Sequence, residues 1–211
     1  MATDTNSTLP RFAALSSLPS GYTLTRRLAI ESQKTFLRLN FASLIPLLIG
    51  MIFFFGVDRA LQGLHFPVLW SIPWNDSSRF AITLIALILT VLLLSIHELC
   101  HGLAFQAFGA KTHYGINLKK AVAFASAADS YMTRDAYLIV ALAPLVVITI
   151  ASIIGMALTD GVLRFLIALM GTMNAGAAIG DLWFTIECLR QPSSLLVRDF
   201  GEGAELYVPT E

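Results

Sequence analysis

Residues 80–101 read FAITLIALILTVLLLSIHELCH, and the fold turns on this stretch. No charged residue falls between Phe80 and Ile96, and the apolar character continues to about Phe105, beyond the roughly 20 residues that a helix needs to cross a bilayer. Side chains that are apolar all round the helix leave no face for water, so the segment belongs in lipid and not on the surface of a soluble domain. At its end stand His97, Glu98 and His101. Residues four apart share one face of a helix, so the two imidazoles can serve one metal ion, with the Glu98 carboxylate beside the open coordination position.

Outward from this run, three more apolar stretches follow the same logic: Leu39 to Val57, Ala136 to Thr159, and Gly161 to about Leu189. Hydrophobic residues make up 56% of the chain and charged residues only 13%, with a mean hydropathy of +0.71, against about 25% charged in an average soluble protein. The expected fold is an all-α integral membrane protein with about four transmembrane helices. Pro46 and Gly50 interrupt the first run; membrane helices tolerate both, but a three-span or re-entrant variant stays open there. The net charge of zero offers no basic footprint for nucleic acid.

Basic residues orient the chain. Arg11, Arg26, Arg27, Lys34 and Arg38 precede the first run; Lys111, Lys119, Lys120 and Arg134 lie between the second and third; Arg190 and Arg198 follow the fourth. Only Arg59, Arg79 and Arg164 fall in the opposite loops, so both termini and the loop after the motif are expected on the cytoplasmic side. The motif then sits near the cytoplasmic end of span two. Residues 1–27 read as a disordered or interfacial tail without a signal peptide, 28–190 as the transmembrane domain, and 191–211 as a cytoplasmic tail. In the loop, Thr112 to Leu118 and Ala121 to Ala125 read as a short β-hairpin around Lys119-Lys120. It either pairs with an extended substrate or lays its lysines on anionic headgroups.

Catalytic zinc usually keeps three protein ligands, so a third is needed. Asp181 stands out because it interrupts the fourth apolar run, where an unpaired carboxylate is expensive, and because span four reaches the depth of His97. His113 and Glu187 are the competitors. Cys100, inside the motif, and Cys188 read as packing thiols. Gly171, Ala175, Gly176 and Gly180 allow close helix approach. Asn174, seven residues before Asp181 and so on the same helix face, can bond a substrate carbonyl or orient a ligand, or make a plain interhelical hydrogen bond.

The residues resemble the site-2-protease-like intramembrane metalloproteases, and within them a family of small prokaryotic zincin-type membrane peptidases long labelled a domain of unknown function. The resemblance covers most of the chain after about residue 90. It rests on His97 to Gly102, Phe108-Gly109-Ala110-Lys111, Ala141-Leu142-Ala143-Pro144, and Asn174 through Asp181. It implies a Zn²⁺ held by His97, His101 and Asp181, Glu98 as general base, and a membrane protein or peptide as substrate. Two departures stand against it: site-2 proteases usually have a proline between the asparagine and the aspartate and a glycine after the aspartate, whereas this chain has Ala177 and its neighbours, and then Leu182.

Zinc lowers the pKa of bound water to about 7, which suits hydrolysis at neutral pH. The expected function is therefore a membrane zinc endopeptidase acting near the cytoplasmic face, with Glu98 and Asn174 as catalytic residues. A catalytically silent scaffold with the same metal site, or a metal-ion transporter, are the rival classes. Glu98 argues against the first, and the uncharged interiors of spans one and three against the second.

Overall fold

The computed structural model describes residues 10–29, 33–62, 76–117 and 122–210. Six helices occupy most of them: α1 (Gln33–Ala42), α2 (Leu44–Gln62), α3 (Asp76–Ala107), α4 (Arg134–Leu158), α5 (Gly161–Ala177) and α6 (Ile179–Leu189). Pro46 falls in the first turn of α2, where a missing N–H costs nothing, so it starts the helix instead of breaking it. Among the described residues, three helical segments are long and apolar enough to cross a membrane: Gln33–Leu61, Thr83–Ala107 and Arg134–Leu158. The fourth apolar run is not one straight helix. It bends by 43° between α5 and α6, and the pair makes a fourth segment only if the bent pair is one span.

The chain divides into two compact units. One, drawn from residues 32–100 and 143–181, consists of the apolar helices. Its closest packing joins α2 to α5 through glycines: a Cβ on Gly50 would lie 2.8 Å from Cβ of Ala175, a Cβ on Gly176 would lie 3.0 Å from Leu47, and Gly171 carries the ring of Phe54. Phe54, Met156 and Ala168 are buried around that contact. The small residues before Asp181 thus serve the approach of α2.

The other unit, drawn from residues 1–31, 101–142 and 182–211, contains the feature that an all-α reading lacks. Strands β1 (Ala14–Leu15), β2 (Tyr22–Ala29), β5 (Tyr131–Thr133), β6 (Leu196–Asp199) and β7 (Gly203–Pro209) form an antiparallel sheet in the order β1-β5-β6-β7-β2. The two segments read as tails supply four of these five strands. Leu28, Met132, Val197, Ala204 and Leu206 are buried in its core together with Tyr137 of α4, whose hydroxyl donates to Asp199 at 2.8 Å. Glu205 joins Arg198 and Tyr207 at 3.1 and 2.8 Å, and burial together with that carboxylate pushes the Tyr207 phenol up to about 12. The expected hairpin is present as β3 (His113–Asn117) paired with β4 (Val122–Ser126); its turn, with Lys119 and Lys120, lies outside the described residues.

Candidate metal centre

Helix α3 carries His97, Glu98 and His101 in its last three turns; both histidines are buried and Glu98 is half-buried. His101 follows His97 by one turn of the same unbroken helix, so helix geometry alone sets their spacing. Asp181 stands in the first turn of α6, immediately beyond the bend, where the helix dipole favours a carboxylate. Its Oδ2 lies 3.1 Å from His97 Nε2.

Asn174, in the last turn of α5, is fully buried and meets the other ring nitrogen, its Oδ1 lying 2.9 Å from His97 Nδ1. The direction of these bonds follows from chemistry. Asn174 Nδ2 donates to the Pro144 carbonyl at 3.3 Å, an acceptor only, so Oδ1 must be the atom facing His97 and Nδ1 must carry the proton. The same argument holds for His101, whose Nδ1 lies 3.0 Å from the Val140 carbonyl and must therefore donate. Both imidazoles are held in the tautomer that puts the lone pair on Nε2, the arrangement in which metal-ligating histidines are oriented by their other nitrogen. The bend changes what the seven-residue interval does: Asn174 and Asp181, on separate helices, address the two nitrogens of one imidazole.

The ligand atoms of His97, His101 and Asp181 all lie within 4.8 Å of one another, and they form the one such group found among the described residues. Four-coordinate zinc with ligands at about 2.0–2.1 Å places neighbouring donor atoms roughly 3.3 Å apart. The 3.1 Å between His97 Nε2 and Asp181 Oδ2 matches that spacing, and two neutral imidazoles with one carboxylate form a donor set suited to Zn²⁺. The competing ligands are engaged elsewhere. His113 pairs with Asp129 at 2.9 Å on the exposed side of the hairpin, while buried Glu187 is bonded to Arg26 of β2 and, at 2.9 Å, to Arg190. Cys188 belongs to the core of the sheet unit, and Cys100 is no part of the ligand group. Val140 was not foreseen, because it contributes a backbone carbonyl that any residue type would supply.

A family model described as "Putative zincin peptidase" matches residues 87–196, just over half of the chain, and takes in His97, Glu98, His101, Asn174 and Asp181. No curated protein and no solved structure matches the chain.

Proposed function

The chain belongs to this family, described as "Putative zincin peptidase", and from that premise we propose that it is a membrane-embedded zinc endopeptidase that hydrolyses membrane-associated polypeptides near the cytoplasmic face. The observation that carries the reading is the convergence of two tautomer-fixed imidazoles and one carboxylate within 4.8 Å, with a glutamate next in sequence to the first imidazole. Bound at these three residues, zinc would polarise a scissile carbonyl and acidify a water molecule.

The chain's own residues do the rest. Asp181 and the two imidazoles would hold the metal, and Asn174, held by the Pro144 carbonyl, keeps His97 from rotating. That gives Asn174 a positioning role, with its amide committed to His97 and Pro144. Glu98 accepts the proton of the attacking water and returns it to the leaving amine. Embedding in a bilayer is supported by the broad exposure of apolar side chains on α2 and α3, among them Ile45, Ile49, Leu87 and Val91, which water would penalise and lipid would not. The excess of basic residues before span one, after the motif and after α6 supports cytoplasmic termini.

A silent scaffold would need the three ligands but not Glu98, so the decisive experiment is Glu98→Gln. Purified in detergent or nanodiscs, the variant keeps one zinc per chain but loses activity on membrane-peptide substrates by about 10²-fold or more, the usual worth of a general base. Full activity in a zinc-loaded Glu98→Gln protein overturns the mechanism, and a native chain that takes up no zinc overturns the metallopeptidase reading itself.

A further inference from the structure

Pro144 lies inside α4, as its eleventh residue, and its side chain is fully buried. A proline in a helix interior normally costs stability, because it brings no N–H to the carbonyl four residues earlier and its ring presses against that carbonyl. Here the carbonyl four residues earlier is that of Val140, and it accepts the Nδ1–H of His101 at 3.0 Å. The carbonyl of Pro144 itself accepts the Asn174 amide at 3.3 Å, and Asn174 holds Nδ1 of His97 at 2.9 Å.

From these contacts we infer that Pro144 is a positioning residue of the metal centre: by withholding its N–H it releases the Val140 carbonyl to fix the tautomer and ring orientation of His101. Any other residue at 144 brings an N–H that closes the regular helical bond to Val140 and competes with the imidazole for the same acceptor. The interior of α4 is apolar, which leaves a displaced His101 Nδ1–H few alternatives there. The Asn174 arm draws on the carbonyl of residue 144, which every amino acid has, so substitution at 144 separates the His101 arm from the His97 arm.

The inference rests on the metal-centre reading, and its test keeps the two apart. Pro144→Ala and Pro144→Val both restore the N–H, the second with a side-chain volume near that of proline, so either carries the test if the other fails to fold. Three quantities are measured on the purified native chain and the variants: zinc affinity by chelator competition, the thermal midpoint of the metal-free protein, and the His101 tautomer by ¹⁵N resonance of labelled histidine. The expected result is zinc affinity lowered about 10-fold or more, as for loss of an outer partner of a ligating histidine. The metal-free midpoint is unchanged or raised, since a helix-interior proline has been removed, and His101 shifts toward the Nε2–H form. Unchanged zinc affinity with an unmoved tautomer overturns the inference. So does an affinity loss that merely accompanies a lowered midpoint, which would make Pro144 a packing residue. If the native chain takes up no zinc, the metal-centre reading fails, while the tautomer comparison on metal-free protein still decides whether Pro144 frees Val140 for His101.

Discussion

Asp181 could be picked out of the sequence because ionisable residues in apolar runs are expensive and are seldom kept without a task. The same reasoning gave His97 and His101, where helical spacing does the geometry. It offered no way to choose among the outer partners, because those depend on which backbone carbonyls a fold leaves over. Val140 and Pro144 become readable only when the missing N–H of an interior proline is followed back four residues to the acceptor it leaves behind. The residue-scale prediction is a ranking. Asp181→Ala removes a ligand and abolishes stoichiometric zinc uptake at micromolar metal. Asn174→Ala removes no ligand, only the hydrogen bonds to His97 and to the Pro144 carbonyl, and weakens zinc binding by about 10- to 100-fold. His113→Ala, which breaks a pair with Asp129 on the exposed hairpin, leaves zinc affinity within about twofold of native. Metal content after gel filtration and chelator competition read all three, and zinc lost from His113→Ala but kept by Asp181→Ala would reassign the third ligand.

At the scale of elements, the apolar runs translated directly into helices because a 20-residue uncharged stretch has few other ways to satisfy its backbone. Their partners were harder to read. The small residues between Gly171 and Gly180 announce a close helix contact without naming the second helix, and it is α2, with Gly50 opposite Ala175 and Leu47 against Gly176. Likewise nothing in the fourth run announces a bend: Ala178, which ends α5 with ψ near 7°, is a residue that helices ordinarily welcome. The contact yields a paired prediction. Gly50→Ala places a methyl 2.8 Å from that of Ala175, closer than carbon atoms pack, so the helices must separate at a cost of about 1–3 kcal/mol. Ala175→Gly removes the opposing methyl, and the double variant should recover most of the thermal midpoint lost by Gly50→Ala alone. Equal midpoints for the single and double variants would mean that this pair does not limit the approach of α2 to α5.

At the scale of the whole molecule, the sheet unit is assembled from three separated stretches, which is why it escaped a reading along the chain. Strands of four to seven residues with charges at Arg198, Asp199 and Glu205 carry a weak local signal, and although β6 and β7 pair with each other, their outer neighbours lie far away in sequence: β6 pairs with β5, and β7 pairs with β2 across more than 170 residues, from Tyr22 with Pro209 to Ala29 with Gly203. Residues 196–209 therefore look like part of a tail and behave as the middle of a sheet. Strands β6 and β7 stand third and fourth in the order β1-β5-β6-β7-β2, and Leu196, Val197, Ala204 and Leu206 are completely buried. Removing residues 191–211 would strip β5 of one neighbour and β2 of the only one it has among the described residues, leaving backbone groups unpaired and uncovering Leu28, Met132 and Tyr137. A dispensable tail would leave expression, thermal midpoint and zinc content unchanged. A structural β6-β7 pair predicts that the truncated chain accumulates poorly, is cut by protease within 101–142 at concentrations the native chain resists, and shows no cooperative melt. Limited proteolysis followed by mass mapping distinguishes the two, and a truncated chain that melts and resists protease like the native one would remove β6 and β7 from the folded core.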